Sequence, residues 1–238
     1  MSGLLEVIVR HGPDAERAEA GGADRLELVG SMDHGGLSPE PALVRDVRRA
    51  TSLPIRVMLR LREGFGTDGG ELVRLQGLAA AYEGEGADGL VLGFLNAHTE
   101  VDVGVVEAIV ADRETGWTFH RAVDSCISTD RAWRELRRLP GLDAVLTAGS
   151  ARGVAEGLDE LVQRARADDF ARRVTMAGGG LQPEHVPWLV RAGVRAFHIG
   201  SSARPLGEYK AYVDPELVRT WRTLLDEQVS AHPTPSAP

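Results

Sequence analysis

Eight short, β-branched apolar runs recur along the chain, each followed by a stretch with apolar residues at helical spacing. No other feature constrains the fold as strongly. The runs lie at 4–9, 25–30, 54–60, 89–94, 117–122, 144–149, 173–178 and 196–201. Between them, Leu43, Val44 and Val47, or Leu158, Leu161 and Val162, mark one face of a helix. Successive runs start roughly 20–35 residues apart, the length of a strand–helix unit. Such alternation predicts a parallel sheet covered by helices. Eight units in about 200 residues suit a closed barrel, the TIM-like (β/α)8 form of the α/β class, better than an open doubly wound sheet. The sequence Gly-Ala-Asp occurs at 22–24 and again at 86–88, each time where a helix gives way to a strand. Glycine at that point permits a left-handed helix stop. No linker interrupts the pattern, which predicts one barrel domain over 1–229, a last helix over about 215–229, and a flexible tail over 230–238.

Composition limits the setting. Hydrophobic residues make up 43% of the 238 and charged residues 26%, as in an ordinary water-soluble protein. No apolar run reaches the roughly 18–20 residues of a membrane span. The first nine residues lack a basic leader and a cleavage site and read as a first strand. Cys126 is the one cysteine, which leaves no internal disulfide and suits a reducing cytoplasm. A net charge of −8 argues against nonspecific nucleic-acid binding. The expected partners are therefore small, with no nucleic acid and no membrane.

In a barrel of this kind, function belongs at the carboxyl ends of the strands. Glu6 and Glu27 sit inside the first two runs, and period-two alternation turns both carboxylates into the barrel. Arg60 and Arg62 close the third run. The fifth is the most unusual: Trp117, Thr118 and Phe119 lead directly into His120, Arg121 and, after two apolar residues, Asp124. His120 shares a face with Thr118 and points inward, which leaves Arg121 to a neighbouring strand or helix. Polar groups in such positions are costly to bury unless they have partners or a task. Glu6, Glu27, His120 and Asp124 are the catalytic candidates. His198 is a weaker one, because Phe197 and Ile199 beside it suit a packed imidazole. Glu6, Glu27 and Arg60 also fit a satisfied ion network that fixes barrel register, and His120 fits a hydrogen-bonded core histidine. No closely spaced histidine or cysteine pair marks a closed zinc site.

Two glycine-rich turns follow the seventh and eighth runs, at 176–183 and 198–204. Backbone N–H groups at such turns can cradle an oxyanion. Gly178, Gly179, Ser201 and Ser202, with Arg60 and Arg62, are therefore the anion-binding candidates, and Arg204 can add charge. Glycine also simply permits tight turns.

These stretches together resemble the CutC family, named for copper homeostasis. The resemblance rests on Leu4 to Val7, residues 22–28, Gly35 to Pro39, Thr118 to Asp124, Val145 to Gly149, Met176 to Gly180 and His198 to Ser202, in that order, and covers about 3–225. It implies a TIM-like barrel in a cytoplasmic homo-oligomer, with a dimer favoured, and a role in copper handling with direct Cu(I) binding. Relatives proposed to bind Cu(I) carry cysteines near the ends of the first two strands, where this chain has Val7 to Val9 and Val29. Copper as a cofactor would then fall to Cys126, with Met32, Met58 and Met176 as thioethers.

Two readings of function follow. One is a copper-binding protein without catalysis. The other is an enzyme for a small anionic or phosphorylated substrate, with His120 as acid or base. A charged interior that only stabilises the fold is a third.

Overall fold

The computed structural model describes residues 3–233, and within them the eight runs form a closed parallel barrel in sequence order. The strands are β1 (Leu4–Val9), β2 (Arg25–Leu28), β3 (Ile55–Met58), β4 (Gly89–Leu92), β5 (Trp117–Phe119), β6 (Leu142–Thr147), β7 (Thr175–Ala177) and β8 (Ala196–Ile199). The helices outside them are α1 (Gly12–Gly21), α2 (Pro41–Ala50), α3 (Gly69–Gly84), α4 (Val103–Val110), α5 (Thr129–Leu136), α6 (Val154–Ala167), α7 (Asp169–Val174), α8 (Val186–Arg191) and α9 (Pro215–Ala231). None of them is long and apolar enough to cross a membrane. The last helix extends two residues past its expected end, and 234–238 of the expected tail lie outside the described residues.

Alternation along each strand sorts the side chains. Leu5, Val7, Val9, Leu26, Leu28, Ile55 and Val57 face outward into the large core shared with the helices. Inside the barrel, Ala144, Leu146 and Met176 form one apolar patch, and Ile8, Val29, Met58 and Val91 form another. Charge occupies the space between. Arg25 and Arg56 reach inward from the starts of β2 and β3, Arg25 to Glu6 and Arg56 to Thr118 and Asp143.

The repeated Gly-Ala-Asp sequence has two jobs. Gly22 and Gly86 adopt the left-handed conformation that ends a helix. The following aspartates then accept backbone N–H groups from the neighbouring strand. Asp24 takes Leu5 N at 2.7 Å and Asp88 takes Ile55 N at 2.8 Å, which fixes strand stagger.

Several strands are shorter than their apolar runs. β7 begins at Thr175 because Arg173 and Val174 complete α7. β5 stops at Phe119 because the His120 ring accepts the Ala122 N–H at 3.1 Å and so starts a 3-10 turn over Arg121–Ser125.

Candidate functional site

The carboxyl ends of the strands enclose a cavity of about 330 Å³. A volume of that size fits a small molecule. Its floor is an ion network on three strands. Register places Glu6 on β1 beside His198 on β8, and Ile8 beside Glu27 on β2. The His198 Nδ1 lies 2.8 Å from Glu6 Oε1, and its Nε2 lies 3.4 Å from Glu27 Oε2. Beneath them Arg25 Nε donates to the other Glu6 oxygen at 2.5 Å. Glu6 is sealed from solvent, whereas Glu27 and His198 line the cavity.

The two carboxylates are driven apart electrostatically. Burial alone would push Glu6 up, but the Arg25 guanidinium and the His198 hydrogen bond outweigh it and hold the carboxyl down at about 2. Burial pushes Glu27 up to about 7, with the Glu6 charge adding to it and His198 opposing. Burial works against a charged His198, yet Glu27 and Glu6 together raise it above the ordinary imidazole value. One proton is thus held near neutral pH at the cavity floor, backed by a permanently ionised Glu6. Paired groups pushed in opposite directions mark acid–base assignments.

His120, expected to titrate near neutrality, does not. Burial and then the Arg60 charge push it down to about 3, so the ring is uncharged. Its Nε2 has no hydrogen-bond partner among the described residues. His120 lines the cavity together with Phe65, whose ring centroid is 5.3 Å away. Arg60 lies over that same phenyl ring and donates to the carbonyls of Gly64 and His34.

The remaining expected residues divide. Gly179, Ser201 and Ser202 line the cavity. Gly178 does not; it packs against His198, and its N–H donates to Thr147 O. Arg62 is turned to the surface, where Asp68 and Glu71 pair with it, because its strand has ended. Asp124 faces away from the cavity: its oxygens accept from Arg121 Nε, Thr147 Oγ1 and Ala148 N, so it braces the turn after β5. Arg204 is consumed by a fully buried ion pair with Asp14 on α1.

Cys126 does not reach the cavity either. It packs at the edge of the outer core, where burial, with Asp124 and Glu100, pushes the thiol up to about 11. A thiol in that state is a poor metal ligand.

One cavity residue is more central than its sequence neighbours suggest. His198 is central, and the outward-facing Phe197 and Ile199 are what turn it inward. Arg121 does serve the neighbouring element, donating to the carbonyls of Ser150 and Ala151 beyond β6, and its guanidinium also lies directly across Gly179. A Cβ there would stand 2.6 Å from Arg121 Nε, and the backbone φ of +89° independently favours glycine.

The sequence pattern of the CutC family matches residues 3–203. This chain belongs to the CutC family. The CutC match takes in every cavity residue except Tyr209. A CutC family protein from Klebsiella pneumoniae is 34% identical over 197 residues, covering 82% of this chain and 78% of that one. One from Vibrio cholerae is 33% identical, covering 84% and 81%. Among solved structures, a protein from Streptococcus agalactiae named for copper homeostasis and CutC superposes with a TM-score of 0.74 at 23% identity, covering 83% of this chain and 98% of that one. The thiamine phosphate pyrophosphorylase of Pyrococcus furiosus superposes at 0.60 with 17% identity, covering 95% and 96%, and shares the barrel fold.

Proposed function

We propose that this CutC protein is an enzyme that moves a proton on a small anionic metabolite, with Glu27 as the group that takes and returns it. The observation that carries this reading is the position of Glu27. Its carboxyl opens onto a cavity of small-molecule size and is backed by His198 and the ionised Glu6. A carboxyl with its pKa near 7 is poised to act both as base and as acid. His198 steadies the charge that Glu27 gains and loses. Arg60 and the turn at Gly179, Ser201 and Ser202 supply the cationic and N–H-rich rim for the anionic part of the substrate, with Arg121, itself paired with Asp124, beside that turn.

The donor set does not suit Cu(I). The thiol lies outside the cavity, and both nitrogens of His198 face carboxylates. The Nδ1 of His120 accepts the Ala122 N–H, which places the ring proton on Nε2 and leaves neither nitrogen a free lone pair for a metal. That leaves the thioethers of Met32 and Met58, fewer soft donors than a Cu(I) site needs. The role in copper homeostasis suggested by the name of the Streptococcus agalactiae protein is proposed here as a consequence of the chemistry at Glu27 rather than of carrying the ion.

The test is hydrogen exchange. Small phosphorylated and carboxylated metabolites are incubated with the protein in heavy water, and deuterium uptake is read by NMR. The protein should label a substrate at a rate that falls about 10²–10⁴-fold in Glu27→Gln. Unchanged labelling in that variant would remove Glu27 from its role. In parallel, a Cu(I) titration under a competing chelator should find no binding that Cys126→Ser removes; a tight stoichiometric site would restore ion carriage.

A further inference from the structure

His120 has the features of a ligand-binding donor that has been left without its ligand. The ring is 4% exposed, its Nδ1 accepts the Ala122 N–H at 3.1 Å, and the ring proton is therefore on Nε2. That Nε2–H is buried and unpartnered. A buried donor without an acceptor costs about 1–3 kcal/mol, so the arrangement calls for an acceptor supplied from elsewhere. The ring lines the cavity, beside Arg60 and the half-buried Phe65.

We propose that His120 polarises a carbonyl oxygen of the substrate through this N–H, so that the substrate is a small carbonyl compound bearing an anionic group. The proposal rests on the proton-transfer reading of Glu27. It follows from matching chemistry within one cavity. Arginines and glycine-turn amides serve a full negative charge, whereas a neutral imidazole serves an oxygen that gains charge only during reaction. A carboxylate base working near neutral pH needs an acidified C–H bond, and a neighbouring carbonyl provides it. Glu27 takes the proton from the carbon next to the carbonyl. The C–H electron pair becomes the C=C bond, and the carbonyl π pair moves onto the oxygen, where the His120 N–H and the nearby Arg60 charge hold it. Return of the proton from Glu27 to the same carbon, with the oxygen's electron pair re-forming the carbonyl, completes the cycle with no oxidant and no co-reactant.

The experiment follows the histidine ring directly. The full-length protein, labelled with 15N-histidine, is titrated with 2-phosphoglycolate, which mimics the enediolate of a phosphorylated carbonyl compound, and separately with inorganic phosphate. His120 should hold the Nε2–H form, without titrating, across about pH 5–9. Phosphoglycolate should shift the Nε2–H resonance and bind at least about 10-fold more weakly to His120→Phe. Phosphate should bind wild type and variant alike, and His120→Gln, which keeps an N–H, should recover part of the loss. An Nδ1–H ring, a titration in that range, an unmoved Nε2–H with phosphoglycolate bound, or equal loss for both anions would overturn the proposal. If neither anion binds, the anionic site falls and this inference with it. Failure of the Glu27 reading alone looks different: deuterium exchange insensitive to Glu27→Gln, with the His120 signals still as expected.

Discussion

The Nε2 atom of His198 stands 3.4 Å from the Glu27 carboxylate. Because its Nδ1 is fixed at 2.8 Å by Glu6, the imidazole is held in one orientation and carries the influence of a sealed charge to the cavity wall. Glu6 in turn is held by Arg25, whose other amine contacts Met176. A line of alternating charges thus runs from the amino-terminal end of the barrel to its mouth. Glu27, its last member, is the one whose proton is shared with the cavity.

Glu27 should make stability depend on pH in a definite direction. Its folded pKa of about 7 exceeds the ordinary 4.5, so it favours folding below pH 4.5 and withdraws that support as pH rises through 7. Glu27→Gln cannot titrate. Its stability relative to wild type should therefore improve steadily between about pH 4.5 and 7 and level off above, by urea unfolding at several pH values. A difference that stays constant over this window would show that Glu27 titrates normally.

The Arg25–Glu6 pair should be expensive to break from one side. Glu6 is inaccessible and Arg25 nearly so, and removal of one partner strands the other in the barrel. Arg25→Met or Glu6→Gln alone should cost about 3–5 kcal/mol, while the double variant should cost clearly less than their sum. Additive losses in this cycle would mean that the two residues do not act as a pair. The His198 resonance should also broaden in Glu6→Gln, since the clamp on its Nδ1 weakens.

The barrel was legible because the apolar period of two faces outward and is interrupted only by residues with something to do inside. Glu6 and Glu27 stood out on that ground, as charges inside otherwise apolar runs. His198 obeyed the same rule, but its neighbours Phe197 and Ile199 suggested simple packing; pairing register between β1 and β8 was the missing information. The strand ends were harder. Hydrophobicity continues past the last ladder bond, so Arg62 looked like a barrel residue although its chain had already left for the surface. Asp124 and Arg121 lie in a turn whose direction is set by a side-chain cap from His120, and sequence spacing carries no record of it.

The segment after β8 should prove dependent on Asp14. Both Asp14 and Arg204 are fully buried, and Asp14 also accepts the backbone N–H groups of Arg10 and Val213. Arg204 additionally lies over the ring of Tyr209, which lines the cavity. Arg204→Met leaves the Asp14 charge without its counter-ion and should cost about 3–5 kcal/mol. Hydrogen exchange should quicken in 200–214 before it quickens in the β-strands. A loss below about 1 kcal/mol would mean that the backbone donors alone satisfy Asp14.

Gly93 offers a way to move His120 without touching any charged group. It follows β4, it does not adopt a left-handed backbone, and so alanine is tolerated there by the main chain. The obstacle is space: an added Cβ would stand 2.6 Å from His120 Nδ1 and 2.8 Å from Cε1. The imidazole has to yield, and with it the contact to the Ala122 N–H that keeps the ring proton on Nε2. Gly93→Ala should cost about 1–3 kcal/mol from overpacking. It should also shift both His120 nitrogen resonances and let the Nδ1–H form appear. The His198 signals should stay in place, because Glu6 and Glu27 fix that ring from a different strand pair. Unshifted His120 resonances in a folded Gly93→Ala protein would mean that the turn after β5, and not the close approach of β4, sets the orientation of this imidazole.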